Sequence, residues 1–442
     1  MFHDFQTADF GSHLQKNIAS NMSMMFHYWL AYATTTMKPT SYRSGYAMPY
    51  FQQWLTQSNI ECDKYLRSES FLNSLNEYMG SVARLYSITK VMSYPITSSL
   101  SLIDTYISSV QGNMLEMQET PHHVAHSIED VRLLRYSGSQ PARKNGTPLL
   151  IVYAPVNRYH IMDIRKGRSI VEHFLSAGFD VYLLDWGKQL NNKPSLSDYV
   201  GYIHRSIEYI KKISGVDQVS ILGYSWGGVL SMIYSSLRGA NVKNLILQSA
   251  HVDFHRDTST LAYWFRKLPI DDITKEFDVI DCRFINLALL MRNPAVHFLD
   301  AFRFASDMNK DMPSIEFWPD AIRIIGWLSD TPLIPAGFFR DFIGKLYQQN
   351  QLVKKELEVT LSSDSSRPET VDLAEITMSL LNIVGDQDDI CTPPSSIPIN
   401  DIATSKDKEL VRFPTGHIEL SVSSTVHNEL WPRVVKWLKQ RS

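Results

Sequence analysis

Residues 221–228 read Ile-Leu-Gly-Tyr-Ser-Trp-Gly-Gly, and this stretch decides the fold of the chain. The apolar run at 219–224 predicts a short buried strand, and the run that begins at Val229 predicts a helix. Between them, Gly223-Tyr224-Ser225-Trp226-Gly227 is a G-x-S-x-G pentapeptide in a strand–turn–helix context. A nucleophile raised above a sheet needs a sharp, strained turn, and glycines two residues to either side leave room for it. The stretch therefore predicts Ser225 as a nucleophile rather than as part of a turn without chemistry.

The bulk composition limits the class of protein. A chain of 442 residues that is 44% hydrophobic can bury a large core, which excludes general disorder. Its net charge of -3 provides no basic field for nucleic acid. Cys62, Cys282 and Cys391 are far apart and odd in number, so we expect a protein of the reducing cytoplasm without a disulfide framework. We also expect no signal peptide and no transmembrane segment.

Beyond residue 130 the chain alternates strand patterns with helix patterns. This alternation predicts the α/β class with a mostly parallel, doubly wound sheet. Continuous apolar runs, such as 149–154, are typical of parallel strands that are covered on both faces. The predicted strands are 131–136 (at an edge of the sheet), 149–154, 180–185, 219–224, 242–250, 379–386 and 409–414, with helices at 167–177, 197–213 and 426–439.

The same patterns divide the chain into four predicted segments. Residues 1–130 form a helical N-terminal extension, 131–250 the first part of the α/β core, 251–370 a helical and aromatic cap, and 371–442 the second part of the core. An insertion at 251–370 lies above the strand ends, where ligands bind in such sheets.

The extension contains two further patterns. From Phe71 to Leu85 the apolar positions step by four and three, which fits either a helix packed on the core or a docking surface for a partner. His122, His123 and His126 do not share one helix face, so we interpret their segment as a polar linker rather than a metal site. No metal or cofactor is expected anywhere in the chain.

A serine hydroxyl becomes a useful nucleophile only when a base takes its proton and an acid orients that base. In a sheet of this kind the acid and then the histidine follow late strands. Asp388 is the preferred acid, with Asp386 and Asp389 as neighbours that could be confused with it, and His417 is the predicted base. The oxyanion hole is expected to use the backbone N–H of Trp226 and that of Val156.

Several stretches of residues 131–442 resemble the catalytic subunit of class III polyhydroxyalkanoate synthases. They are 153–187, with Asn157-Arg158 and Asp185-Trp186-Gly187, together with 196–210, 242–254, 338–352, GDQDDICTPPSS at 385–396 and FPTGHIEL at 413–420. The resemblance implies an α/β-hydrolase core and an acyl-enzyme mechanism that extends a polyester with (R)-3-hydroxyacyl-CoA and releases CoA. It also implies an accessory synthase subunit, a homodimer and a cytoplasmic location at the polyester granule surface. Asp388 and His417 match the acid and base positions of that family.

The sequence departs from this family at the nucleophile, which is cysteine there and Ser225 here. A thiol is partly ionised near neutral pH, and a hydroxyl is not. Serine suits cleavage of an oxygen ester, because the substrate ester and the acyl-enzyme are chemically alike. Two enzyme classes therefore stay open: a synthase-like acyltransferase, and a serine hydrolase such as an intracellular polyester depolymerase or an esterase. A non-catalytic granule-surface protein is the third class, and the complete set of catalytic residue types argues against it.

We expect a fluorophosphonate probe to label Ser225 of the purified protein, because an activated serine attacks the phosphorus of such probes. Mass spectrometry of the labelled peptide identifies the site, and the Ser225→Ala variant serves as the unlabelled control. A wild-type protein that stays unlabelled would favour the non-catalytic class.

Overall fold

The computed structural model describes residues 120–137, 146–188, 194–282, 332–361 and 367–442, together with the single positions 285 and 327. All of them belong to one compact unit, Gln111–Ser442. The predicted helical extension lies outside the described residues up to position 119, and so does its apolar repeat at 71–85. Much of the predicted cap at 251–370 also lies outside them.

The described residues form both strands and helices, and we number each kind in chain order. The strands are β1 (His122–Ile128), β2 (Val131–Tyr136), β3 (Leu149–Val152), β4 (Asp163–Arg165), β5 (Arg168–Ser169), β6 (Val181–Asp185), β7 (Val219–Tyr224), β8 (Val242–Gln248), β9 (Val279–Asp281), β10 (Leu333–Pro335), β11 (Glu358–Val359), β12 (Glu369–Thr370), β13 (Ser379–Gly385) and β14 (Lys408–Phe413). The α-helices are α1 (Ile170–Ser176), α2 (Leu196–Ser214), α3 (Trp226–Leu237), α4 (Thr260–Lys267), α5 (Ile270–Glu276), α6 (Ala336–Asp341), α7 (Gln351–Lys354), α8 (Pro393–Ser396), α9 (Ile399–Ile402), α10 (Glu419–Val422) and α11 (Trp431–Lys439).

Helical turns of other types complete the described part. Tyr159–Met162, Gly239–Asn241 and Leu373–Glu375 are 3₁₀-helical, whereas Phe342–Gln348 and Val426–Leu430 are π-helical. No helix among the described residues is both long enough and apolar enough to cross a membrane.

The core of the unit is an eight-stranded sheet in the order β1-β2-β6-β3-β7-β8-β13-β14. The six strands from β6 to β14 pair in parallel, and β1 and β2 add an antiparallel margin. Strands β3, β6 and β7 are buried at every position, which explains their continuous apolar sequence. The predicted α/β class and the mostly parallel, doubly wound sheet are confirmed.

Local signals in the sequence set the ends of the long helix α2. Ser195 accepts a hydrogen bond from the backbone N–H of Asp198, whose carboxylate accepts one from the backbone N–H of Ser195, and this capping box begins the helix. Gly215 ends it in the left-handed conformation, with φ 66°. The observed helix Leu196–Ser214 exceeds the predicted 197–213 by one residue at each end.

The margin of the sheet differs from the prediction, which was wrong there. Residues 122–128 form strand β1 rather than a polar linker, and β2 lies inside the sheet rather than at its edge. The first strand shows little apolar periodicity because most of its side chains are exposed or half-buried. Backbone pairing with β2 and stacking of His126 on Tyr209, with ring centroids 4.4 Å apart, hold it in place.

A histidine pair joins helix α1 to the C-terminal region. His427 Nε2 donates to the Ser421 carbonyl oxygen at 2.8 Å, so its Nδ1 accepts from His173 Nε2–H at 3.1 Å. Burial lowers the pKa of His427 from 6.5 to about 4, and burial also lowers the pKa of His173. Both rings are therefore neutral in the folded protein at neutral pH.

We expect the unfolding free energy to fall by about 2 kcal/mol between pH 7 and pH 5 because of His427. The folded-state pKa lies below the unfolded one, so this contribution is full above the unfolded pKa and disappears as the pH falls toward the folded value. Urea unfolding at both pH values measures it, and a His427→Gln variant, which cannot titrate, should show a smaller decrease. An equal decrease in both proteins would contradict the assignment.

Candidate active site

Ser225 is at the turn between β7 and α3, where the backbone is strained. Its φ of 55° and ψ of -124° lie in a region that a side chain with a Cβ rarely adopts. The backbone N–H of Ser225 donates to the Gln248 carbonyl oxygen at 2.9 Å, which ties the turn to the end of β8. The residue is only 6% exposed. This is the geometry that the pentapeptide predicts for a nucleophile above a sheet.

The glycines around Ser225 allow close packing of backbone on backbone. A Cβ on Gly223 would lie 2.6 Å from the Gly228 Cα, and a Cβ on Gly227 would collide with the carbonyl oxygens of Val152 and Tyr153. The first turn of α3 therefore lies directly against the end of β3. A side chain at either glycine would force the strand and the helix apart.

Asp388 and His417 meet at the same edge of the sheet. Asp388 follows β13 and His417 follows β14, and His417 Nδ1 lies 2.8 Å from Asp388 Oδ2. The other carboxylate oxygen accepts from the backbone N–H groups of Ile390 at 2.9 Å and Cys391 at 2.8 Å. With the Nδ1 proton donated to the carboxylate, Nε2 of His417 is left to act as a base.

His417 also lies next to the nucleophile turn. The ring of Tyr224, which precedes Ser225, has its centroid 5.2 Å from the His417 ring. Ser225 Oγ and His417 are not joined by a hydrogen bond in the described part of the chain. Such bonds are often long in unliganded enzymes and tighten with substrate.

The structure separates the three neighbouring aspartates by their surroundings. Asp388 is buried and contacts His417, whereas Asp386 and Asp389 are exposed. Asp386 pairs with Arg412 Nε at 2.7 Å in an ion pair at the protein surface. Asp388 is thus the aspartate of the three that lies in position to orient His417.

The two residues whose N–H groups are expected to bind an oxyanion, Trp226 and Val156, lie in adjoining segments. Trp226 is the first residue of α3, so its backbone N–H has no partner within the helix and points out of the positive end of the helix dipole. Val156 lies in the turn that follows β3, the strand against which the head of α3 packs. The two segments therefore adjoin each other at the head of α3.

The side chain of Trp226 is enclosed by aromatic residues from the predicted cap region. Its ring stacks on Phe342 with centroids 4.0 Å apart, and Phe265, Phe338 and Tyr347 have ring centroids within 6.3 Å. The indole Nε1–H donates to the Tyr347 hydroxyl oxygen at 3.3 Å. Aromatic residues of the segment predicted as a cap therefore hold Trp226, the residue that follows Ser225.

A second buried histidine–aspartate pair, which was not predicted from the sequence, lies close by. His251 Nε2 lies 2.8 Å from Asp257 Oδ2, and both side chains are 0% exposed. His251 stands three residues after the end of β8, so the rule that located His417 beyond a strand end applies to it as well. No group of His, Cys, Asp or Glu within the described ranges is arranged to hold a metal ion.

Cys391 lies near both carboxylates. Its thiol is fully buried, and burial together with the charges of Asp388 and Asp257 holds its pKa well above the usual value. The thiol is therefore protonated at neutral pH and is a poor nucleophile.

The chain is similar to a family of known fold and to several known proteins. The sequence pattern of the family described as "alpha/beta hydrolase fold" matches residues 161–421. The chain is 34% identical over 329 residues to the poly(3-hydroxyalkanoate) polymerase subunit PhaC of Haloferax mediterranei, covering 73% of this chain and 65% of that protein. It is 33% identical over 330 residues to the subunit of the same name from Allochromatium vinosum, covering 73% of this chain and 89% of that one.

Among solved structures, a monoacylglycerol lipase from Paleococcus ferrophilus is similar, with a TM-score of 0.44 and 18% sequence identity. The similarity covers 68% of this chain and 97% of that one.

We expect Asp388→Asn to reduce kcat on a p-nitrophenyl ester by about 10³- to 10⁴-fold, because His417 loses its orienting carboxylate. Asp386→Asn is the matched control, and it should stay within about twofold of wild type because its side chain is exposed. Steady-state kinetics on both variants shows which aspartate orients His417, and thermal unfolding verifies that both variants fold. Similar losses in the two variants would contradict the assignment of Asp388.

Proposed function

Because this chain belongs to the poly(3-hydroxyalkanoate) polymerase family, of α/β-hydrolase fold, we propose that it polymerises (R)-3-hydroxyacyl units from CoA thioesters. The observation that carries the proposal is the strained Ser225 at the head of α3, with the buried Asp388–His417 pair beside it. The chain spans 65% of the length of the Haloferax relative, so the activity of the whole protein is a proposal as well.

In the proposed first half-reaction Ser225 becomes acylated. His417 Nε2 takes the Ser225 hydroxyl proton while Oγ attacks the thioester carbonyl carbon. The backbone N–H groups of Trp226 and Val156 receive the oxyanion, and Asp388 stabilises the imidazolium that forms. The C–S bond then breaks, and His417 returns its proton to the departing CoA thiolate.

In the proposed second half-reaction the polyester grows. The terminal hydroxyl of the chain gives its proton to His417 and attacks the acyl-serine ester. The bond between the acyl carbon and Ser225 Oγ breaks, and His417 returns the proton to Ser225. The first transfer, from thioester to oxygen ester, runs downhill, whereas the second exchanges one oxygen ester for another and is nearly balanced.

The hydroxyl at residue 225 supports a second candidate, a serine hydrolase that uses the same groups. Water would then replace the terminal hydroxyl of the polyester as the acceptor, and a free hydroxy acid would leave. Both reactions need every group described above, so they differ only in the acceptor that reaches the acyl-enzyme.

The proposed partners are an accessory subunit and a second copy of the chain. The relatives from Haloferax and Allochromatium are named polymerase subunits, which supports a multi-subunit enzyme. The resemblance noted in the sequence supports a homodimer and a position at the surface of polyester granules.

We expect purified protein supplied with (R)-3-hydroxybutyryl-CoA to release CoA and form polymer. Thiol titration measures the CoA, and methanolysis with gas chromatography measures the polymer. CoA release with only free 3-hydroxybutyrate would contradict the polymerase proposal and support the hydrolase. Polyester cleavage is the next assay if no CoA appears.

The controls compare Ser225, which precedes α3, with Ser236, which lies within that helix. Ser225→Ala should abolish CoA release, because the nucleophile is missing. Ser236→Ala removes a hydroxyl that only donates to the Ile233 carbonyl oxygen, at 2.8 Å, so it should behave as wild type.

A further inference from the structure

We propose that His251 and Asp257 are positioning residues that act through Tyr347 to hold Trp226, and with it the oxyanion donor beside Ser225. The inference rests on the proposed function only in taking Ser225 as the nucleophile and the Trp226 N–H as an oxyanion donor. It applies to the polymerase and to the hydrolase alike.

The pair itself is fully satisfied on the carboxylate side. Asp257 Oδ2 accepts from His251 Nε2, and Oδ1 accepts from the Ser259 backbone N–H at 2.8 Å and the Thr392 hydroxyl at 2.9 Å. His251 Nδ1 has no hydrogen-bond partner within the part of the chain that the structure describes, so the geometry assigns the ring proton to Nε2. The ring also stacks on Phe254, with centroids 5.1 Å apart, which fixes its plane.

Tyr347 connects this pair to the residue after the nucleophile. Its hydroxyl oxygen lies 3.3 Å from His251 Nε2 and 3.3 Å from Trp226 Nε1, and the ring is 0% exposed. A line of polar contacts thus runs from Asp257 through His251 and Tyr347 to the Trp226 indole. Each side chain in this line has at least one hydrogen-bond partner, and a buried polar line of this kind restricts the positions of the groups that it joins.

The strain at Ser225 gives the network a function. A backbone at φ 55° persists only when the surrounding structure holds both of its sides. The bond from the Ser225 N–H to the Gln248 carbonyl holds the side before the turn. The stacking of Trp226 on Phe342 and its bond to Tyr347 hold the side after it. Loss of the second anchor would let the first turn of α3 relax and move the Trp226 N–H.

The pair also shares a loop with the catalytic acid. Thr392, which binds Asp257, is the neighbour of Cys391, whose backbone N–H binds Asp388. The loop 388–392 therefore connects two pairs. One is Asp388–His417, which would catalyse the reaction, and the other is His251–Asp257, which would position Trp226.

The test compares two buried tyrosines that differ in what their hydroxyls contact. Tyr347→Phe removes the hydroxyl that joins His251 to Trp226. Tyr182 lies on strand β6, and Tyr182→Phe removes a hydroxyl that donates to Asp180 at 3.0 Å. We expect Tyr347→Phe to lower the rate constant for fluorophosphonate labelling of Ser225, and kcat on a p-nitrophenyl ester, by about 10- to 100-fold with KM unchanged. Tyr182→Phe should label at the wild-type rate.

Rescue tests the donor on His251. His251→Gln keeps an N–H close to the position of Nε2 and should label faster than His251→Phe, which offers Asp257 no donor. Rates are expressed per labelled Ser225, so a fall in stability alone does not move them. Wild-type labelling by Tyr347→Phe, or equal labelling by the two His251 variants, would overturn the proposal.

Failure of the proposed function would look different. A wild-type protein that labels at Ser225 but forms no polymer would contradict polymerisation, and the same variants would still test the positioning role.

Discussion

The strained backbone of Ser225 is the constraint on which the rest of this site depends. A side chain at φ 55° costs free energy that the surroundings must offset. Glycines let α3 approach β3 and β7 closely, the end of β8 accepts the Ser225 N–H, and aromatic residues enclose Trp226. The parallel sheet provides the frame for all of these contacts, because its strand ends meet at one edge.

The loop that follows β13 holds two histidine–aspartate pairs in place. Asp388 near its start binds His417, and Thr392 at its end binds Asp257, so one short segment positions two histidine–aspartate pairs. Only the first of these pairs adjoins the nucleophile turn through Tyr224. The second is connected to the residue after Ser225, through Tyr347 and the Trp226 indole. Burial of both carboxylates makes their hydrogen-bond donors necessary, which restricts the conformations open to the loop.

The sequence predicted the parallel strands and the positions of Ser225, Asp388 and His417, because apolar runs and strand-end residues are local signals. It missed β1, whose exposed side chains leave no periodicity and whose pairing depends on β2. The position of His251 after β8 is a signal that the sequence does contain. Its contact with Asp257 involves no motif, and its link to Tyr347 involves a residue of the π-helical turn at Phe342–Gln348. Contacts of that kind follow from three-dimensional packing and cannot be derived from spacing along the chain.

Neither the thiol of Cys391 nor the hydroxyl of Ser225 is easily oxidised. The Cys391 thiol lies buried near two carboxylates and stays protonated, so it is a poor target for peroxide, which reacts with thiolates. Ser225 has no sulfur to oxidise. A cysteine at this position would be open to oxidation, reversibly to the sulfenic acid and irreversibly to the sulfinic acid, whereas the hydroxyl of Ser225, the proposed nucleophile, is not oxidised in this way.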